Sequence, residues 1–506
     1  MDSVLTRVSG LFEQKGSGNS PSGSAGLYQR IFNVLRNAIL SNDIPEGVKL
    51  PSTRLLAEKL KVSRSTIIKA YELLLFEGFI VSVPGSGHLV KRVGEDHFQP
   101  RQEKKSEYKY PEMSEVGKSF QKTVVLQNTT DDVSIAFRPG LPPLDIFPVN
   151  KWKNLTNLYW RHVKSYALTY SASSGTEQLK KTIADYLNFS RKIKCDPQQV
   201  IIVSGSVQSL YLIGNVVLNP GDKITLEKST FPNVHSIFKG LRANVLPVDV
   251  DEYGLVVSQL MTTNHRNSKL LHVVPSCHYP TGVKMSLNRR LELLNWAHEQ
   301  GTIIIENDYE HEVNNFIDFL PSIFSLDNEQ RTVFLGTFNR LLHPSIRVGY
   351  MVVPYYLLNA VEALLKHSHR FVPSSIQVVL SQFIEKNYLF NHFKNVIDAA
   401  DERKELFDQT FRNSFDNGLI IKSFKTKSLH TLVSINNGIR DTELVAYFNS
   451  HNLITHSFSK CFVDDNASNG LIFGFSCVRP PVIKQKIQQM EKLFRGYNPL
   501  VYRQIK

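Results

Sequence analysis

A chain of 506 residues exceeds what one hydrophobic core usually supports, so two or three domains are expected, and 42% hydrophobic with 21% charged residues is ordinary for a soluble globular protein. Its 59 Lys and Arg against 46 Asp and Glu leave a net charge of +13, which favours an anionic partner such as nucleic acid or a membrane surface. No apolar run approaches the roughly 18 residues needed to span a bilayer, the start lacks the form of a secretory signal, and Cys195, Cys277, Cys461 and Cys477 have no paired C-x-x-C spacing, so no metal site, no membrane segment and a cytoplasmic location are expected.

Residues 1–26 read as a short helical start followed by a flexible tether, because GSGNSPSGSAG at 16–26 offers only small polar side chains that cannot pack. Residues 27–93 then form the first compact domain. Leu27, Ile31, Leu35 and Ile39 recur at helical spacing over 27–40. Ser52 is placed to cap a second helix through Leu60, burying Leu55, Leu56 and Leu60, and Ser63 to cap a third that carries Ile67, Ile68, Tyr71, Leu74 and Leu75. Two helices joined by so tight a turn are a helix-turn-helix. Phe79 to Val83 and His88 to Val90, flanking PGSG, form a β-hairpin wing. Ten basic residues face five acidic ones between 27 and 92, which concentrates positive charge in the module suited to phosphate contacts.

Residues 94–132 are polar and proline-containing and read as a linker. From 133 onward, β-branched runs such as VIIVS, KITLE, LLHVV, TIIIEND and TVFLG alternate with amphipathic helical stretches, which argues for an α/β domain with a largely parallel sheet. The expected fold class is multidomain α/β: a winged helix-turn-helix, a large domain over 133–385 and a smaller α+β subdomain over 386–506.

The ordered run G-x-x-L-P-S-x-R-x-L-A-x-x-L-x-V-S-R-x-T at 47–66, followed by EGFI and PGSG, resembles the GntR family. The resemblance implies double-stranded DNA as partner and contacts from Arg54, Ser63, Arg64, Ser65, Thr66 and Lys69, with Gly87 and His88 in the wing. Phe137 to Pro142, Phe147-Pro148 and the run 170–187 are similar to the opening of the aminotransferase-shaped domain of MocR-type regulators, a PLP-dependent-transferase fold. Together the two resemblances cover nearly all of 27–495.

In such a domain a strand running into SGSVQ lets amides at a helix start, Ser206 and Val207 among them, hold a phosphate. By resemblance, Phe231 stacks on the pyridine ring, Tyr309 hydrogen-bonds the cofactor, Thr337 lines the site and Arg347 grips the phosphate. The family pattern G-T-F-S-K meets GTFNR at 336–340, so Arg340 stands where a lysine bonds the aldehyde, and Asn339 stands for a serine. A guanidinium keeps its proton and cannot form a Schiff base. The aspartate that would pair with the pyridinium aligns best with Asn307; Asp308 beside it could substitute, although a one-residue shift on a strand points to the other face. The arginine for a substrate carboxylate aligns with Ile472.

No catalytic residue is therefore assigned. The favoured expectation is a transcription regulator whose large domain forms a homodimer, domain-swapped and head-to-tail by resemblance, and senses a small-molecule effector, with pyridoxal 5'-phosphate bound, if at all, without a covalent link at Arg340. Two other readings stay open: an aminotransferase or related enzyme using another lysine or unattached cofactor, and a structural dimerisation domain with an empty pocket.

Overall fold

The structure, a computed structural model, describes residues 2–14, 26–91, 111–123, 136–314, 320–415, 419–422, 424, 426–436, 438–464 and 467–497. They fall into two units, Met1–Pro111 and Glu112–Lys506. No helix among the described residues is long and apolar enough to cross a membrane, and no acidic, His or Cys cluster there is suited to a metal ion.

The first unit contains α1 (Asp2–Gln14), α2 (Leu27–Leu40), α3 (Thr53–Leu60), α4 (Arg64–Phe76) and the hairpin β1 (Ile80–Val83) and β2 (Gly87–Val90). Ile31, Leu35 and Ala38 of α2 close over Leu56 of α3 and Ile67, Tyr71 and Leu74 of α4. Both expected caps form: Ser52 Oγ accepts from Leu55 N and Ser63 Oγ from Thr66 N, each at 3.2 Å. Leu55 departs from the expectation and is exposed, while Ala57 is buried. In a helix of 3.6 residues per turn, 56, 57 and 60 share one narrow face and 55 falls about 100° to its side. The expected helical start is α1, and it buries Val8 in this same core.

In the second unit, α5 (Glu115–Gln121) lies inside the stretch read as linker. Its Ser119 Oγ donates to Lys239 O at 2.8 Å, and its Phe120 ring lies over Gly240, where a Cβ would approach it to 2.3 Å. After α6 (Val149–His162) and α7 (Glu177–Arg191) comes a seven-stranded sheet. Its strands are β3 (Val200–Val203), β4 (Lys223–Glu227), β5 (Asn244–Val248), then, past a small hairpin of β6 (Val250–Asp251) and β7 (Gly254–Leu255), β8 (Leu270–Val273), β9 (Ile303–Asn307), β10 (Thr332–Thr337) and β11 (Gly349–Val352). They lie in the order β3-β11-β10-β9-β8-β4-β5, and only β11 runs antiparallel to its neighbours. β3 and β8 are buried along their whole length, as strands covered on both faces must be. α8 (Ser206–Val217) and α9 (Pro232–Gly240) follow β3 and β4.

A four-stranded antiparallel sheet, β12 (Leu419–Ile421), β13 (Thr431–Ile435), β14 (His456–Ser457) and β15 (Gly470–Phe473), in the order β12-β13-β15-β14, forms the smaller α+β part with helices Tyr388–Ser414 and Pro480–Arg495. Phe137 packs edge-on against Phe407 at 5.5 Å and Phe473 at 6.0 Å. A residue that the sequence groups with the large domain thus sits in the core of the small one.

Beneath the sheet, Arg191 at the end of α7 pairs with Asp308, both buried, and also donates to Ser276 Oγ at 3.3 Å. Burial would raise the Asp308 carboxyl, but Arg191 and then His311 hold it below the ordinary carboxylate range. Replacing Asp308 by Ala strands a buried guanidinium and is expected to cost about 3–5 kcal/mol, read as a lowered urea midpoint for the α/β unit. Glu227 is buried at the end of β4, accepts from Val274 N at 3.1 Å and faces His278 at 3.7 Å. Burial lifts its carboxyl from 4.5 to about 8, and His278, pushed by burial down to about 4, supplies no charge to offset it. The native state therefore binds a proton that the unfolded chain has released. Stability should fall as pH rises between 4.5 and about 8, and Glu227→Gln should flatten that slope in unfolding curves taken across the window.

Candidate functional site

Two surfaces follow from these folds. On the first unit, α4 begins at Arg64 with Ser63 as its cap, so Arg64, Ser65 and Lys69 are exposed along the first turns while Ile67, Ala70 and Tyr71 hold the opposite face to the core. Arg64 Nε donates to Thr53 Oγ1 at 3.3 Å, which ties the start of α4 to α3, where Arg54 is exposed. Ser63 and Thr66 share a 2.6 Å hydroxyl contact, so Thr66 is half-buried and engaged in the cap. Gly87, at φ 94°, closes the wing turn. The half-buried His88 ring stands edge-on to Tyr71 at 5.3 Å, and Tyr71 in turn donates to Pro51 O at 2.9 Å. That side chain anchors the wing to the core, while the backbone of His88 accepts from Leu50 N.

On the second unit a cleft of about 240 Å³ opens where the parallel strands end. β3 ends at Ser204-Gly205 and leads into α8, β4 leads to Thr230 and Phe231, β9 ends at Asn307 before Tyr309, and β10 ends at Thr337 before Asn339 and Arg340. Because β11 is antiparallel, its beginning lies at the same edge, which brings Arg347 into the lining. Thus Ser206, Val207, Phe231, Asn307, Tyr309, Thr337, Arg340 and Arg347, scattered over 142 positions of sequence, line one cleft.

One end is built for an anion. The amides that open α8 have no intrahelical acceptors, and their dipole favours negative charge. Gly205 there has φ 143°, and a Cβ on it would meet Asn339 Nδ2 at 2.8 Å. Asn339 fastens this corner by donating to Ser204 O at 2.9 Å and accepting from Val348 N at 2.9 Å. Arg347 is exposed, adopts φ 52° and has no acidic partner among the described residues.

The middle is different. Arg340 is ion-paired with the fully buried Glu310, whose other oxygen accepts from Ser428 Oγ at 3.1 Å; Ser428 contacts His430 Nδ1 at 2.7 Å. Burial opposes the charge on Arg340, yet Glu310 raises its proton affinity above the ordinary arginine value. Gly140 makes room for it, since a Cβ would lie 2.7 Å from Arg340 Nη1. Tyr309 presents its ring to the guanidinium at 5.5 Å and donates its hydroxyl to Cys277 O at 3.1 Å. No lysine, aspartate or glutamate is among the described residues that line the cleft.

Asn307 faces the cleft and contacts His272 Nε2 at 3.2 Å through Nδ2. Asp308 points away into its pair with Arg191, so it does not take the place of Asn307. Ile472 is fully buried beside Tyr279 and Phe458 and contributes no charge. Sequence reasoning missed Glu310, Gly140, Tyr279 and His456, of which the last three line the cleft. Glu310 had a local signal, an acid next to Tyr309, but nothing in the sequence tells which basic residue it meets.

Comparison with known proteins agrees with both halves. Residues 27–90 match the gntR family of bacterial regulatory proteins and residues 144–422 match aminotransferase class I and II. The chain is 26% identical over 468 residues to the probable rhizopine catabolism regulatory protein MocR of Rhizobium meliloti, covering 92% of this chain and 94% of that one. Among solved structures it resembles Pyrococcus horikoshii kynurenine aminotransferase, determined in complex with PMP (TM-score 0.66, 24% identity, 76% of this chain and 95% of that one). It also resembles LysN, the α-aminoadipate aminotransferase of Thermus thermophilus, determined with N-(5'-phosphopyridoxyl)-L-leucine (TM-score 0.66, 21% identity, 72% and 92%). A seven-stranded sheet with one antiparallel strand, a cleft at its strand ends and a match over more than half the sequence place this chain in the aminotransferase class I and II family, with a gntR-family segment ahead of it.

Proposed function

We propose that the chain is a DNA-binding transcription regulator whose aminotransferase-shaped unit binds a small molecule and does not catalyse transamination. The observation that carries this reading is the cleft lining: among the described residues it offers an anion-binding end and an aromatic wall but no lysine, and Arg340 stands in the reactive region bound to Glu310. A relative named as a regulatory protein spans nearly the whole chain, which supports joining the two units in one regulatory role.

A vitamin B6 phosphate fits this cleft in part. The phosphate would be held by the α8 amides, Thr337 and Arg347, and the ring would lie against Phe231. The remaining groups do not fit a working cofactor, since Arg340 cannot give up a proton to attack an aldehyde and Asn307 carries no charge to hold a pyridinium. No chemical step is assigned to the site. Arg54, Ser63, Arg64, Ser65, Thr66, Lys69 and Gly87 are the proposed duplex-facing set, and exposed Leu158, Trp160, Tyr166, Leu168 and Tyr170 provide an apolar surface for a head-to-tail homodimer. A ligand would regulate DNA binding only through unequal affinity for two arrangements of that dimer.

Gel-shift titration against DNA from upstream of its own and neighbouring genes tests the first part. Specific binding should weaken steeply as salt rises, and Arg54→Ala with Arg64→Ala should reduce it by at least about tenfold with a shallower salt slope; unaltered binding would remove these arginines from the interface. For the second part, Arg340→Lys incubated with pyridoxal 5'-phosphate and reduced with borohydride should carry a stoichiometric phosphopyridoxyl group at position 340 that survives denaturation, while the wild type should carry none on any lysine. Such a group in the wild type, mapped to any lysine, would favour the alternative of an enzyme.

A further inference from the structure

The centre of the cleft is lined by hydrogen-bond donors with no acid to match them. Arg340 donates Nε to Glu310, its Nη2 lies in the ion pair with the same oxygen without a hydrogen bond of its own among the described residues, and Nη1 is on the side of Gly140. Glu310 is enclosed behind it, one oxygen on Arg340 and the other on Ser428, and presents neither to the lining. Beside Arg340 stands Tyr279, whose ring packs edge-on to Phe231 at 5.4 Å and whose buried hydroxyl has no hydrogen-bond partner among the described residues. Burial raises that phenol well above its ordinary range, so it keeps its proton. A buried hydroxyl left unsatisfied is costly, and Tyr279 stands in the lining of the cleft, where a ligand atom could satisfy it.

Resting on the B6-phosphate reading above, we infer that Arg340 and Tyr279 are specificity-determining residues which make the cleft take B6 phosphates ending in oxygen, an aldehyde or alcohol, and reject those ending in an amine. The lining groups Arg340 and Tyr279 with Phe231, Arg347 and the start of α8, so a ligand with its phosphate at α8 and its ring at Phe231 would have them within the same cleft to meet a ring substituent. An aldehyde or hydroxyl oxygen accepts from a guanidinium and a phenol. The amine of pyridoxamine phosphate is an ammonium at neutral pH; beside a guanidinium that cannot lose its charge it meets repulsion, with no free carboxylate in reach. Asn307 fits the same selection. An amide can pair with a neutral ring nitrogen as donor or with a protonated one as acceptor, whereas a carboxylate would demand the proton.

The test is calorimetric titration of the full-length protein with pyridoxine 5'-phosphate, pyridoxal 5'-phosphate, pyridoxamine 5'-phosphate and inorganic phosphate. The two oxygen-ended compounds should bind within about threefold of each other and at least about tenfold more tightly than the amine. Arg340→Gln should shrink the gap to less than about threefold, and Tyr279→Phe should weaken the oxygen-ended pair selectively. Should Arg340→Gln melt early because Glu310 is left unpaired, Arg340→Gln with Glu310→Gln restores a neutral pair and carries the same expectation. Equal or tighter binding of the amine, or a gap that survives in the folded variants, overturns the inference while leaving B6 binding intact. If none of the three binds more tightly than inorganic phosphate, the B6 reading itself falls and the inference with it.

Discussion

Arg340 and Glu310 set what the cleft can do. A carboxylate wholly withdrawn from water needs a cation or several donors, and Glu310 has both, with Arg340 on one oxygen and Ser428 on the other. The guanidinium in return is fixed in direction, kept charged and prevented from swinging out. Ser428 and His430 belong to the small α+β part and Glu310 and Arg340 follow strands of the large sheet, so the Ser428 hydrogen bond to Glu310 also ties the two parts together. Gly140 completes the seat, for any larger residue at that position would push into Nη1.

The two regions of the cleft rest on different physics. The anion end is made of backbone: a strand that stops, a glycine at φ 143° and a helix that begins. Such a site survives changes of side chain provided the turn is kept, and Asn339 keeps it by bonding both Ser204 and Val348. The region around Arg340 depends on the identity of single side chains, and a guanidinium there has a chemistry that an amine would not, whatever the sheet beneath it. Fold kinship with aminotransferases and a different use of the cleft are therefore compatible.

The winged-helix unit shows a similar division. Its core is continuous through Leu35, Leu56, Ile67, Tyr71 and Leu74, and the residues between them, Arg54, Arg64, Ser65 and Lys69, are left to solvent. Tyr71 serves the core twice, once by its hydroxyl on Pro51 and once by its ring against His88, so the wing and the helix pair share one support. The His88 ring buttresses the wing where the hairpin folds back on α4.

Local order was legible in the sequence because it is written in neighbouring residues. Helical spacing located α2, α3 and α4, serine caps fixed where two of them start, and β-branched runs marked β3, β4, β8, β9 and β10. A guanidinium in place of any reactive amine at position 340, and Asp308 turned to the far side from Asn307, follow from residue identity and the two-residue period of a strand. Tertiary structure alone decided which partners meet across long separations: Arg340 with Ser428 through Glu310, Arg191 with Asp308, Phe137 with Phe407, and Phe120 with Gly240. A polar stretch such as 112–121 reads as linker until a surface exists for one phenylalanine to cover. Spacing and side-chain chemistry act over a few residues and can be read in order, whereas pairing of charges and burial of rings depend on where distant segments are brought together by the sheet.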